Sequence, residues 1–347
     1  MRSQMSQRRK QKIDSGNTSG FLLFAMVEVL LIILGITAAI QFDNMNELSK
    51  TENDIEAVLT EIKLDLSNDI KNSELIYLNY LRTNKITDVI YNPETSKEEI
   101  SNMTVLLDNE LRFYKNFPIR TDGYEAIKKL FSEAPEKYKN SIKDINTFYK
   151  RKITLDIYNE RCRNTIYEYQ DYLINNQPWF NLDSHNEVVS SDQIDYYFHN
   201  PKVKAQMGLV ADDVAELYIQ TLQYRTAAID LYSSIHNSIG DTSSIPDHIT
   251  YKNSNIELMT SYEGSYKWIK GASGKIDFKG EGVSIVFKDD FLYLILPNGK
   301  ELRLLSLNDS CFYISKSYDL VTIDKSGKLE YIQSGIKKDC LFEKTNP

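Results

Sequence analysis

The chain has 347 residues, 26% charged and 41% hydrophobic, a globular balance that excludes a disordered, collagen-like or wholly membrane-embedded protein. A formal charge of −8 speaks against nucleic acid as a partner, because phosphate binders concentrate Lys and Arg. Three cysteines exclude a dense disulfide scaffold, and the length accommodates two soluble domains beside any other segment.

Residues 1–20 form a basic tail, in which Arg2, Arg8, Arg9, Lys10 and Lys12 face only Asp14. Phe21–Ile40 follows, apolar or small throughout except for Glu28. At about 1.5 Å per residue such a run spans about 30 Å, the thickness of bilayer hydrocarbon, so one transmembrane helix is predicted over 21–41. Asp43, Glu47, Glu52, Asp54 and Glu56 come next, and the positive-inside rule then places the N-terminus in the cytoplasm and the rest outside. A cleaved signal peptide is the competing reading, with Thr37-Ala38-Ala39 as a small-residue site, but secretory apolar regions run about 7–15 residues and this one is longer.

Glu28 is the candidate contact inside the membrane. A carboxylate costs about 2.5–3.5 kcal/mol at the centre of a span and less near the interface, so it faces a partner or reaches the headgroups. Gly35 and Ala39 form a small-xxx-small pair that could let another helix approach, the other reading being a single lipid-facing anchor. The expected partners are the lipid bilayer and, through this helix, other envelope proteins or a second copy of the chain.

From Phe21 to Glu47 the sequence resembles an uncharacterised family of single-pass envelope proteins of the Bacteroidota. The family pattern is A-I-G-E, an apolar run containing Gly, then A-L-Q-I-N-N-W-N-E. Its counterpart here is Ala25-Met26-Val27-Glu28, a run containing Gly35, then Ala39-Ile40-Gln41-Phe42-Asp43-Asn44-Met45-Asn46-Glu47. Pro118-Ile119-Arg120-Thr121-Asp122-Gly123-Tyr124-Glu125-Ala126-Ile127-Lys128 is similar to the family segment P-R-T-x-A-Y-E-A-L-K. Val27 replaces a Gly, Met45 replaces a Trp, and one extra residue separates Pro118 from Arg120. The resemblance covers about residues 20–235 and implies an inner-membrane anchor with a helical periplasmic domain. It supplies no activity.

Residues 48–238 read as a helical bundle. Ile55, Leu59, Ile62, Leu66, Ile70, Tyr77 and Leu81 fall at helical spacing, while Asp69 and Ser73 interrupt the seam that a coiled coil would need. Asn92-Pro93 ends this helix, and Thr95 or Ser96 with Glu98-Glu99 caps the next. Further helices are predicted over Lys97–Asp108, Asp122–Phe131, Glu136–Ile174 and Lys202–Ile235, with Asn176–Asp192 as a polar loop. The 23 tyrosines, many on apolar stripes, read as core rather than as a binding groove.

Asn237–Asp247 has linker composition, and a linker is assigned to 239–255. Beyond it, over 256–344, the period changes to two. Strands are predicted at Ser265–Trp268, Val283–Lys288, Phe291–Leu296, Glu301–Leu305, Cys311–Ile314, Leu320–Asp324, Leu329–Gln333 and Cys340–Phe342, an antiparallel meander closed into a small barrel or sandwich. Tyr262-Glu263-Gly264-Ser265-Tyr266, Phe291–Leu294 and Leu304–Tyr313 resemble the lipocalin-like tail domain of serine beta-lactamase-type hydrolases, an accessory part without the catalytic serine. Cys311 and Cys340 could form a disulfide in an exported domain if their strands are close, leaving Cys162 as a buried thiol. The fold class expected is thus a membrane-anchored α+β protein.

No catalytic constellation emerges. Ser334-Gly335-Ile336-Lys337 and Lys325-Ser326-Gly327 mimic acylase motifs in the wrong order and context. Asp183-Ser184-His185-Asn186-Glu187 reads as a solvated loop rather than a metal site, and Gly280-Glu281-Gly282 lacks the third glycine of a dinucleotide loop. His199, His236 and His248 have no partner at useful spacing, and Asp212, Asp213 and Glu216 read as a charged outer face. The expectation is a non-enzymatic protein without cofactor, acting by protein interaction or scaffolding. The alternative is a ligand sensor that uses the β domain.

Overall fold

The computed structural model describes residues 18–180, 190–253, 255–271, 278, 281–333 and 339–345. The basic tail up to residue 17, the 183–187 loop, Ser334–Lys337 and Gly280 lie outside them.

Helix α1 runs without a break over Thr18–Tyr91, 74 residues or about 110 Å. Its first part is long and apolar enough to cross a membrane, and none of that apolar window is buried against the rest of the protein. The burial pattern changes at Ile55. From there Ile55, Leu59, Ile62, Leu66, Ile70, Ile76, Tyr77, Ile86 and Ile90 turn into the helical core. Pro93, which has no N–H to continue the ladder, follows the end of the helix.

The next helix, α2 (Lys97–Arg112), opens on a complete capping box: the Ser96 hydroxyl accepts from the Glu99 N–H, and Glu99 accepts from the Ser96 N–H. Then come α3 (Asp122–Lys129), α4 (Glu136–Tyr149) and α5 (Arg151–Asn176). The single helix expected over Glu136–Ile174 is therefore two. Tyr138, Ile142, Ile145 and Tyr149 form one stripe, and Leu155, Asn159, Cys162, Ile166 and Leu173 another, offset by about 100° on a continuous helix of 3.6 residues per turn. Breaking at Lys150 lets both stripes face the core. It also leaves Ile153 and Ile157 66% and 61% exposed.

A short helix that the sequence did not suggest, α6 (Ser191–His199), precedes α7 (Pro201–Ser238). Pro201 occupies the first turn of α7, where no N–H is needed, and the Asn200 side chain accepts from the Lys202 N–H. This helix is the centre of the bundle and packs on α1, α4 and α5. Residues 239–253 are docked onto the bundle, with Ile239, Ile245 and Tyr251 packed against its core. A 3₁₀ turn at Asp247–Ile249 lies against α1, with Ile249 buried.

After α8 (Ile256–Ser261) come β1 (Gly264–Gly271), β2 (Val283–Lys288), β3 (Phe291–Ile295), β4 (Glu301–Ser306), β5 (Cys311–Ile314), β6 (Leu320–Ile323), β7 (Lys328–Ile332) and β8 (Asp339–Lys344). They form a closed antiparallel barrel in chain order, sealed by β1 against β8, which settles barrel against sandwich. The β2–β3 turn places both Asp289 and Asp290 at positive φ, 53° and 64°, as a two-residue hairpin turn of the I′ kind requires.

Inward positions of the barrel carry Tyr266, Phe278, Ile285, Leu292, Leu294, Phe312, Val321, Leu329, Tyr331 and Phe342, all buried. Eight strands enclose a space that side chains of this size fill. Outward positions Phe291, Leu305, Cys311, Tyr313, Leu320 and Ile332 belong to the helical core instead. The barrel wall is thus one side of the bundle core. Hydrogen bonds fix the contact: the Tyr218 hydroxyl donates to the Tyr318 carbonyl at 2.8 Å, Asn308 Nδ2 donates to the Tyr77 hydroxyl at 2.7 Å, and the Thr226 and Tyr313 hydroxyls are 2.9 Å apart.

Candidate functional site

Glu28, Gly35 and Ala39 are seven and four residues apart and share one face of α1. Gly35 and Ala39 are exposed, and a Cβ added at Gly35 meets nothing within 4 Å. Glu28 is half-buried. This face has room for a second helix.

Farther along α1 the seam interruptions Asp69 and Ser73 prove to be buried, at 0% and 1% exposed. Asp69 Oδ2 accepts from the Tyr224 hydroxyl at 2.6 Å and from the Arg120 N–H at 3.3 Å. One turn earlier, Asp65 Oδ2 accepts from the Gly123 N–H at 3.2 Å. Thr121, at the cap position of α3, makes no side-chain cap bond, so α3 is capped from outside by an acid of α1. The approach is close: a Cβ at Gly123 would lie 2.7 Å from Ile62 Cγ1 and 3.0 Å from the Ile62 nitrogen. Burial pushes both carboxyls up, Asp69 to about 7, against the opposing hydrogen bonds from Tyr224 and Arg120. The buried Tyr149 hydroxyl lies in the field of both acids, and it and Asp69 Oδ1 make no hydrogen bond. Pro118–Lys128, the second segment of the family resemblance, thus holds the backbone that clamps α1.

Other buried charges are paired across the bundle. Lys63 binds Asp241, with His236 Nδ1 3.1 Å from its ammonium. Glu110 takes Arg82 and, at 3.0 Å, the Thr83 hydroxyl. Asp213 is 3% exposed, 2.6 Å from Arg161 Nε, and accepts from the Thr165 hydroxyl, so it is not on an outer face. His248 Nε2 lies 2.9 Å from the Ser67 hydroxyl. These histidines have partners in space that chain spacing did not reveal. Among the described residues no group of three His, Cys, Asp or Glu could hold a metal ion. The ion pairs tie helices together, and the Ser67–His248 contact sets a hydroxyl at hydrogen-bond distance from an imidazole nitrogen.

The possible Cys311–Cys340 disulfide is contradicted. Both are present as thiols. Strand β5 borders β4 and β6 while β8 borders β7 and β1, and Cys311 points to the helices whereas Cys340 points into the barrel. Cys162 is a buried thiol in α5. Lys325-Ser326-Gly327 forms the β6–β7 turn, where the Ser326 hydroxyl donates to Asp324 at 2.6 Å and Gly327 has φ 82°. Gly282 is a close backbone approach, since a Cβ there would lie 2.6 Å from the Tyr266 carbonyl oxygen.

A cleft of about 430 Å³ opens where α7, the segment before α8 and the β4–β5 turn meet, and Arg225, Asp247, His248, Asn253, Asp309 and Ser310 are among its lining residues. The β4–β5 turn is fixed by Asn308 Oδ1, which accepts from the N–H groups of Ser310 and Cys311 at 3.0 and 2.9 Å. His248 is held below its ordinary pKa by burial and then by Arg225 and Lys71.

No family model, curated protein or solved structure matches this chain.

Proposed function

We propose that this chain is a single-pass inner-membrane protein, with its basic tail in the cytoplasm and its bundle and barrel in the periplasm, that works by holding partners rather than transforming them. The observation that carries this reading is α1, one unbroken helix that supplies both the exposed apolar segment and the core of the bundle. A contact made in the membrane is then linked directly to the exported part. About 13 residues separate the end of the span from Ile55, so the bundle stands about 20 Å from the bilayer at about 1.5 Å per residue. A barrel lined with large side chains supports interaction over a ligand held inside it.

Glu28, Gly35 and Ala39 form the proposed contact in the membrane. Light scattering on the full chain in detergent tests it, together with a record of co-purifying proteins. Glu28→Leu is expected to insert but to lose the oligomer or the partner, and Glu28→Gln to keep part of it through hydrogen bonding. Unchanged mass and unchanged partners for Glu28→Leu would refute the contact.

A further inference from the structure

We propose that the cleft between α7, the segment before α8 and the β4–β5 turn binds a small zwitterion of amino-acid or dipeptide size, its carboxylate set against Arg225 and its ammonium toward Asp247 and Asp309. This site goes beyond the interaction reading and does not depend on it.

Arg225 is 5% exposed, and among the described residues no carboxylate lies within ion-pair distance of it. Its Nη1 donates to the Ile70 carbonyl at 2.8 Å and to the Ser73 hydroxyl at 3.4 Å, and its Nη2 donates to the His248 carbonyl at 3.2 Å. Nε makes no hydrogen bond. A guanidinium has five N–H donors, so the set is incomplete, and its bonded partners are neutral, with the Glu74 carboxylate acting on it only from beyond ion-pair distance. Lys63, the other buried cation described above, has its acid in Asp241.

The same guanidinium lines the cleft, whose volume of about 430 Å³ suits a molecule of dipeptide size. A carboxylate is the anion that matches a planar donor fork. Acids in the same cleft select against a simple anion. Asp247 and Asp309 are exposed there, and Lys252, the other lining cation, is already held by Asp290 at 2.7 Å. Asn253 Nδ2 donates to Asp309 Oδ1 at 3.0 Å and fixes that carboxylate in place. A ligand positive at one end and negative at the other answers both the cation and the acids, whereas phosphate answers Arg225 and is repelled by the acids. Occupancy would join α7, the linker segment and the β4–β5 turn. Through the bond from Arg225 to the Ile70 carbonyl it would also bear on α1.

The test is a thermal-shift titration of the full chain in detergent with diglycine, acetate and inorganic phosphate. Diglycine should raise the melting temperature in a saturable way, acetate should do so at least tenfold more weakly, and phosphate should not. Arg225→Met should weaken diglycine at least tenfold. Because Arg225 also bonds backbone carbonyls, that variant can fail to fold. The double variant Asp247→Asn/Asp309→Asn keeps those bonds and should lose the advantage of diglycine over acetate. No shift with diglycine, a shift with phosphate alone, or the full diglycine advantage retained in the double variant would each overturn the proposal.

Discussion

Asp69 is an acid in the core of a helix that the sequence alone marks only as a broken seam. Its folded-state pKa of about 7 compares with about 3.9 for an unperturbed aspartate. Between these values the folded chain keeps a proton that the unfolded chain has released, so stability falls as pH rises from about 4 to about 7. The slope from this group is up to about 1.4 kcal/mol per pH unit, and it ends above about 7, where both states are ionised. Asp69→Asn keeps an acceptor for Tyr224 and Arg120 but carries no charge. Melting temperatures of the two proteins across that window should show a shallower fall in the variant, and equal slopes would exclude Asp69 as the source. Gly123→Ala should lower stability by about 1–3 kcal/mol, read from denaturant midpoints, because the new Cβ meets both the side chain and the backbone of Ile62. The sequence showed where polar residues enter the apolar stripe of α1. It could not show their partners, because Asp69 meets Tyr224 from 155 positions away and Asp65 meets a backbone N–H from 58 positions away.

Among the elements, the strands were the most legible, since the period of two and the turn residues Asp289-Asp290 and Lys325-Ser326-Gly327 delimit them closely. The capping box at Ser96 and Glu99 marked the start of α2 equally well. The break at Lys150 was missed because apolar residues occur on both sides of it, and only the phase of the two stripes reveals the offset. The seat of the barrel was missed for a related reason. Cys311, Phe312, Tyr313 and Ile314 are all buried, so β5 reads as a continuous apolar run, and that lack of alternation is the signature of a strand covered on both faces. This covering has a thermodynamic consequence. Calorimetry of the wild-type protein should show the bundle and the barrel melting in one transition, because they share a core. Tyr313→Ala removes a buried ring and its contact with Thr226, should cost about 3–5 kcal/mol, and should split the transition in two. Separate transitions in the wild type would mean that the shared wall contributes little.

At the scale of the whole molecule, α1 joins an apolar segment long enough to cross a bilayer to the core of the bundle, and the proposal is that it does cross, with bundle and barrel exported. That expectation comes from the apolar run over 21–41, the basic residues before it and the acids after it. The exposure of the apolar surface of α1 fits a span better than a core helix, which its neighbours would bury. Alkaline phosphatase, which is active only after export, tests this most directly when fused after Lys50 and after Lys344 of the membrane-bound protein. The account predicts activity from both fusions, with the protein at full length in the membrane fraction. Inactive fusions at both positions would contradict the orientation, and a product shortened by about forty residues would show that the helix is cleaved rather than kept as an anchor.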